Sequence, residues 1–302
     1  MPWTASPTLD KKKVKVKMTK IDRSTVIIVT GSTGNVGAKT AELLRQSGEH
    51  VRGLCRNPTH PDDVSVNLAD PDAVEAAIKG ARAVFANVPA VHNQLDMEKN
   101  LIVAAKKTNT ERYLRLSSLG ANANGTDTVA RIHGQAEQLL EGSGLDFTHI
   151  RANYFMQMFL AQAENISKNN SFTICAVNSA NVGFIDTRDI AAVSTVALSE
   201  QKYAGKTLHL TGPELMTFPS AVNEISKAIG RQINYCEMNS EDFYKVLLDN
   251  QVSEFLAEHV IGLYTRIGTG ASAITTEEVA EIIGRQPKTF HEFAHDHADQ
   301  FR

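Results

Sequence analysis

Between residue 24 and about residue 150, short apolar runs alternate with stretches in which apolar side chains recur every three or four positions. "STVIIVT" is a β-branched run with no polar alternation, the pattern of a strand covered on both faces. "GNVGAKTAELLRQSG" then reads as a helix closed by Gly48. "HVRGLCR" is a second strand, and "DPDAVEAAIKG" a helix capped by Asp70 before Pro71 and ending at Gly80. "ARAVFANVP" is a third strand. "QLDMEKNLIVAAKKT" is a helix with Leu95, Leu101, Ile102 and Ala105 as its apolar positions. "RYLRLSSLGA" and "TVARIHGQAEQLLEGSG" repeat the strand–helix unit. Repetition of this kind predicts an α/β fold, an open, doubly wound parallel sheet with helices on both faces.

After "LDFTHIRANYFMQMFL" the rhythm loosens. "NVGFIDTRDIAAVSTVAL" and "KTLHLTG" carry two more strand signals around a helix. From Phe218 onward the pattern is mainly helical, in "PSAVNEISKAIG", "SEDFYKVLLDNQVSEFLAEHVIGLY" and "TTEEVAEIIG". The expected organisation is a disordered basic leader (1–20), a nucleotide-binding domain (21–152) and a smaller, mainly helical C-terminal lobe (153–302). Parts of 180–212 return to the sheet. A length of 302 residues suits one large unit or two fused ones sharing that sheet.

The first strand stops at a G-x-x-G-x-x-G turn, "VTGSTGNVG", and a helix opens directly after it. That context makes the spaced glycines informative. Gly31 permits the tight turn, Gly34 lets the backbone approach a pyrophosphate, and Gly37 lets helix and strand pack closely. The helix N-terminus offers free N–H groups and a partial positive charge to phosphates. The fold is therefore expected to be of Rossmann type and to bind a dinucleotide. The second strand ends in Leu54-Cys55-Arg56-Asn57, with no acid between Val51 and Pro61 to hold a ribose 2′-hydroxyl. Arg56 suits a 2′-phosphate, so NADP(H) is favoured over NAD(H); a plain solvent arginine is the alternative.

Charge adds one fact. Residues 1–20 hold six lysines and one aspartate, and the remaining 282 carry 25 basic and 33 acidic residues. An acidic body argues against nucleic acid as the main partner. The odd, unevenly spaced Cys55, Cys175 and Cys236 read as free thiols. No apolar run approaches the ~20 residues of a membrane span, and no secretory h-region stands near the start. A cytoplasmic protein without membrane contact is expected.

The stretches "VTGSTGNVG", "VRGLCRNP", "YLRLSSLGA", "HGQAEQLLEGSGLDFTHIRANYFMQ", "FIDTRDIA" and "LTGPELMTF" together resemble the NmrA-like group of atypical short-chain dehydrogenases/reductases. The resemblance runs from about residue 24 to 295. Within the group the chain looks most like ergot-alkaloid iminium reductases and quinone or triphenylmethane-dye reductases. The resemblance implies that Gly31, Ser32, Thr33, Gly34, Asn35 and Val36 wrap the pyrophosphate and that Arg56 takes the 2′-phosphate. Asn67 and Leu68 match the adenine contact, although the family usually has Asp where Asn67 stands. Asn87, Val88 and Pro89 would lie under the nicotinamide ribose. Ser117 would lie near the nicotinamide, and Asn153 and Tyr154 at the edge of the substrate pocket, with Asn153 also counted as a cofactor contact.

No Tyr-x-x-x-Lys pair occurs in the chain. His133 sits where related reductases have lysine or histidine, with Glu137 one turn on along the same face. His133 could hold the ribose, donate a proton, or both; simple packing is the alternative. Ser117, His133 and Tyr154 are the candidate catalytic residues. The apolar set Tyr154, Phe155, Met156, Met158, Phe159, Phe243, Phe255 and Tyr264 could line a pocket or simply fill the core. "HEFAH" (291–295) matches the zincin pattern, but Ala298 and Phe301 stand where the longer metal-binding pattern needs Gly and His. No metal is expected, and Phe290 and Phe293 should pack inward.

The expected function is an NAD(P)H-dependent reductase, using NADPH, that transfers hydride to a flat, electron-poor acceptor such as an iminium ion, a quinone or a cationic dye. Such acceptors need no strong protein acid at the moment of transfer. Two alternatives stand beside it: an NADP(H)-sensing regulatory protein, and a non-redox enzyme, for example an iminium cyclase, with His133 or Glu137 as acid–base. The expected partner is a small molecule, and monomer and homodimer are both open.

Overall fold

Every residue of β1 (Val26–Thr30) is buried, as an uninterrupted β-branched run requires when helices cover both sheet faces. Val26 and Ile28 point into one core cluster and Ile27 and Val29 into another, the two-residue alternation of a strand. The computed structural model describes residues 25–302, so the lysine-rich leader expected at 1–20 lies outside the described residues.

From β1 the chain runs through α1 (Asn35–Gln46), β2 (Val51–Cys55), β3 (Val64–Ser65), α2 (Pro71–Ile78), β4 (Ala81–Ala86) and α3 (Gln94–Lys107). It continues through β5 (Arg112–Ser118), α4 (Thr128–Glu141) and β6 (Phe147–Ala152). Asp70 caps α2 as expected, its carboxylate accepting from the backbone N–H groups of Asp72 and Ala73. A 3₁₀ segment (Met156–Gln162) then leads to α5 (Ala163–Asn169), β7 (Ser171–Cys175), α6 (Thr187–Ser199) and β8 (Lys206–Leu210). The tail is α7 (Phe218–Ile229), β9 (Asn234–Met238), α8 (Ser240–Asp249), α9 (Glu254–Gly268), α10 (Glu278–Ile283), α11 (Phe290–Asp296) and α12 (Ala298–Phe301).

Seven strands form one parallel sheet in the order β3-β2-β1-β4-β5-β6-β8. The winding reverses between β1 and β4, and a crevice at the carboxyl ends of the strands opens there, the usual ligand site of such sheets. Thr30 ties the two strand ends together: its hydroxyl donates to the carbonyl of Asn87 (3.0 Å) and accepts from the Asn87 N–H (2.8 Å). A third core cluster is aromatic and lies outside the sheet, with Tyr154, Phe159, Phe172, Phe184, Phe218 and Phe290 among its members.

The structure departs from the sequence-based expectation in three places. "NVGFID" forms no strand; it makes only isolated bridges, Val182 with Met216 and Ile185 with Phe155. Another segment crosses there so closely that a Cβ on Gly183 would lie 2.3 Å from the Ile274 carbonyl oxygen, which leaves no room for a regular ladder. The helical tail also contains β9, which pairs in parallel with β7 as a separate two-stranded sheet. β9 is exposed or half-buried throughout and carries no apolar run to mark it, and β3 has only two residues. Finally, the long helical stretch 240–264 is two helices. Gln251 takes a left-handed conformation (φ 61°), and Ser253 starts α9 by accepting from the Leu256 N–H.

Candidate active site

The glycine turn is shaped as its spacing implies. Gly31 has φ +64°, and its N–H donates to the Leu54 carbonyl at 2.8 Å, which pins the turn to β2. At Gly37 a Cβ would lie 2.2 Å from the Gly31 carbonyl oxygen, so α1 can approach β1 only through a glycine. At Gly34 the surroundings are open, with only the Gly31 carbonyl oxygen near, at 3.4 Å. Gly34 is also the N-cap of α1, no side chain caps that end, and the first turn holds no acid. An uncapped helix N-terminus beside an open cradle has the donors and the dipole that a pyrophosphate needs. The residues present fit a dinucleotide.

The individual residues of the turn are placed differently. Thr33, Gly34 and Asn35 are exposed at the crevice, whereas Val36 is buried in the core and can offer only its backbone. Ser32 faces away from the cradle, donating its hydroxyl to Asp63 (3.1 Å). That aspartate went unnoticed in the sequence because it lies beyond the short window after β2. Its carboxylate is buried over the middle of β2, where it also accepts from the Gly53 N–H (3.0 Å) and pairs with Arg45 (2.5 Å). With three partners it is a structural carboxylate, not a free ribose ligand. Arg56 is exposed just after β2, and among the described residues only its carbonyl is engaged, by the Ser65 hydroxyl. Asn67 closes a local turn with Ala69, and the Leu68 carbonyl accepts from Asn100. Pro89 is exposed, while its neighbours Asn87 and Val88 line the cavity described next.

At the carboxyl ends of β4, β5 and β6 lies a cavity of about 280 Å³ under α9. Its apolar wall includes Leu116, Val129, Tyr154, Phe155, Met158 and Leu263. Of the aromatic and methionine set, Met156, Phe159, Phe243 and Tyr264 belong instead to the core, and Phe255 does not line the cavity. Ser117, His133 and Asn153 line it as well, so the structure brings the candidate catalytic residues together.

Their hydrogen bonds redefine them. Ser117 donates to Glu137 (2.6 Å) and so has no proton left to offer. Glu137 is gripped by Arg151 at 3.0 Å and 2.5 Å. Burial alone would raise its pKa, but the bonds from Arg151 and Ser117 outweigh it and hold the carboxyl below its usual range. It does not line the cavity. The Asn153 amide is committed too, donating to the Ser272 carbonyl (3.0 Å) and accepting from the Tyr154 N–H (2.9 Å). Tyr154 and Tyr264 join their hydroxyls at 3.0 Å, and burial pushes both phenols up, that of Tyr264 to about 12. Tyr154 is a wall, not an acid.

His133 is the exception. Its Nδ1 accepts from the guanidinium of Arg115 at 3.1 Å. Arg115 is always charged and only donates, so the neutral imidazole must carry its proton on Nε2. Burial, then the charge of Arg115 and the proximity of His259 and Arg266, push its pKa well below the ordinary value. At neutral pH it is an uncharged N–H donor and not an imidazolium acid. Arg115, fully buried in β5, is in turn paired with Glu98 of α3 at 2.8 Å. Both were legible signals: an arginine inside a buried strand, and a glutamate at helical spacing from Leu95, Leu101 and Ile102. The same holds for α9, where Leu256, His259, Leu263 and Arg266 form one stripe that faces the cavity.

The HEFAH residues lie elsewhere. His291 pairs with Glu224 (3.0 Å), and Glu292 completes a capping box with Thr289. Phe290 and Phe293 are buried as expected. Among the described residues no cluster of three or more metal-binding side chains occurs.

The sequence model for the NmrA-like family matches residues 23–294. The chain is 28% identical to an NAD(P)H azoreductase of Xenophilus azovorans, over 91% of this chain and 99% of that one. It is also 28% identical to a (4-alkanoyl-5-oxo-2,5-dihydrofuran-3-yl)methyl phosphate reductase of Streptomyces griseus, over 91% and 99%. Among solved structures, an NADPH-dependent quinone oxidoreductase of Escherichia coli in complex with NADPH superposes with a TM-score of 0.79. The two share 22% identity over 89% of this chain and 98% of that one.

Proposed function

The chain belongs to the NmrA-like family, and from that premise we propose that it is an NADPH-dependent reductase that delivers hydride to a flat, electron-poor organic acceptor. The observation that carries the reading is the shared crevice. The open, uncapped α1 N-terminus and the largely apolar cavity both lie at the carboxyl ends of the strands. The similar proteins include reductases of an azo compound, a quinone and an oxo-dihydrofuran. Flat acceptors are common to them. When bound, the dihydronicotinamide supplies a hydride with its electron pair and is left oxidised, while the acceptor gains that hydride and one proton from solvent.

The chain's own residues bind, orient and polarise. The glycine turn and the first turn of α1 hold the pyrophosphate, and Arg56, exposed and unengaged, takes the 2′-phosphate. Leu116, Val129, Tyr154 and Phe155 exclude water from the acceptor. The Nε2–H of His133 donates to the heteroatom on which negative charge grows, and Arg115 fixes the tautomer. A neutral imidazole that only donates a hydrogen bond keeps its proton, so it needs no reprotonation between turnovers. Glu137, locked by Arg151 and Ser117, does not serve as acid–base, which removes the main support for a non-redox reaction. Residues 21–152 carry the cofactor, and 153–302 contribute half of the acceptor wall. The protein is read as cytoplasmic, a monomer or homodimer acting on small molecules.

Mixing enzyme with NADPH and a panel of quinones, azo compounds and enones tests the reading. Loss of absorbance at the nicotinamide band with an acceptor, and none without, is the expected result. No oxidation with any acceptor, despite measurable NADPH binding, would leave a sensing protein in its place.

A further inference from the structure

Apart from the Tyr154 phenol, the ionisable side chains that line the cavity are all basic. Its lining contains His133, His259 and Arg266, and no aspartate or glutamate among the described residues. Burial lowers the pKa of both histidines, so both are neutral donors near pH 7. Arg266 is therefore the charge of the cavity. It lies in the last turn of α9, where Nη1 donates to the Leu119 carbonyl and Nη2 lies 3.4 Å from the Ser118 hydroxyl. Its Nε–H is buried and has no partner among the described residues. Arg45, Arg82, Arg112 and Arg115 also leave Nε without a partner among the described residues, but each holds a carboxylate through a terminal nitrogen, whereas Arg266 holds only a carbonyl and a hydroxyl. Asp127 is the acid whose charge reaches Arg266, and the two form no ion pair. A half-buried guanidinium that lines an apolar cavity and holds no carboxylate lacks an anion.

We infer that Arg266 sets the charge class of the acceptor: the cavity takes neutral acceptors, prefers those bearing a sulfonate, carboxylate or phosphate beside the flat ring, and rejects cations. This rests on the proposed reductase function and narrows it, because iminium ions and cationic dyes were equal candidates on sequence alone. A cation entering the cavity meets an arginine at low dielectric that no carboxylate pairs with, Asp127 acting only from a distance. An anionic group instead supplies the counter-charge that Arg266 lacks, through the charge-assisted bonds that guanidinium favours. Transfer of hydride to a quinone or azo group also builds negative charge, which the same donors stabilise.

The test uses three two-ring probes of similar size: 1,4-naphthoquinone, its 2-sulfonate, and N-methylquinolinium. Calorimetric titration into enzyme saturated with NADP⁺ measures binding without turnover, so its outcome does not depend on whether the reductase reading survives. The wild type is expected to bind the sulfonate about tenfold or more tightly than the neutral quinone, a charge-assisted hydrogen bond's worth, and the cation at least tenfold more weakly. Arg266→Gln should level the three affinities, whereas Arg266→Lys should keep the order while losing part of its span. Because Arg266 also braces Leu119, circular dichroism and melting of both variants accompany the titrations, and the lysine variant guards against a change caused by misfolding alone. Equal affinity of the wild type for quinolinium and naphthoquinone would overturn the inference. So would a Gln variant that weakens all three probes alike.

Discussion

The glycine turn draws its shape from seven consecutive residues, Gly31 to Gly37, while the cavity beside it draws its polar side chains from β5, α4 and α9 and from Asn87, Asn153 and Ser272. At the turn the ligand-binding groups are backbone N–H groups, and the side chains matter mainly by being absent. In the cavity each side chain is defined by a partner from elsewhere in the chain. Arg115 selects the tautomer of His133, Glu137 accepts the hydrogen bond of Ser117, and Ser272 engages the amide of Asn153. The lesson is that a site made of backbone can be located from a local pattern, whereas a site made of side chains can be listed from sequence but not assigned roles.

The largest expected effect lies under the cavity. Glu98→Ala leaves Arg115 buried without its carboxylate, and removal of one member of a buried pair typically costs about 3–5 kcal/mol. Urea denaturation measures it. A loss near zero would mean that the cavity floor does not depend on the pair and would break the contrast with the self-sufficient turn.

His133→Ala is expected to slow single-turnover oxidation of NADPH by a quinone by about 10²–10³, the effect of losing one donor to a developing oxyanion. Cofactor affinity should change little. Equal rates in the two proteins would make the histidine a packing residue.

Gly34→Val sharpens the comparison from the other end. A side chain there meets only the Gly31 carbonyl oxygen at 3.4 Å, so the protein should fold with an almost unchanged melting temperature. The branched side chain fills the cradle, and NADPH affinity should drop by about 100-fold, ~2.7 kcal/mol. Retained affinity in the folded variant would remove the turn from the site. Arg56→Asp should weaken NADPH by about 1.5–3 kcal/mol, as loss of a charged hydrogen bond does, and leave NADH unaffected. Parallel titrations with the two cofactors decide it.

The smallest effect is a pH slope. His133 has a folded pKa below its unfolded value near 6.5, so the unfolded chain binds the extra proton first. The stability this group contributes is complete above about pH 6.5 and is lost as pH falls towards the depressed pKa, by at most about 1.4 kcal/mol per pH unit. In His133→Asn the slope of unfolding free energy between pH 5 and 6.5 should shrink by part of that amount. An identical slope would place the proton elsewhere, for example on His259, whose pKa burial also lowers.

Much of the architecture was determined by the sequence alone. The β-branched run of β1, the Asp70 cap, the Gly31–Gly34–Gly37 spacing and the 3.6-residue rhythm of α1 to α4 are local, and each is enforced by backbone sterics or by apolar residues that must leave water. What only the tertiary structure decided was where isolated polar groups find partners. The sequence shows Asp63, Glu98, Arg115 and Arg266 as charged residues among many. Their burial, and hence their energy, depends on which distant strand or helix closes over them. The same reason separates "NVGFID" from a true strand, since the crossing segment near Ile274 occupies the place a ladder would need. A buried charge or hydroxyl is strong only through the group that faces it, and folding alone brings the two together.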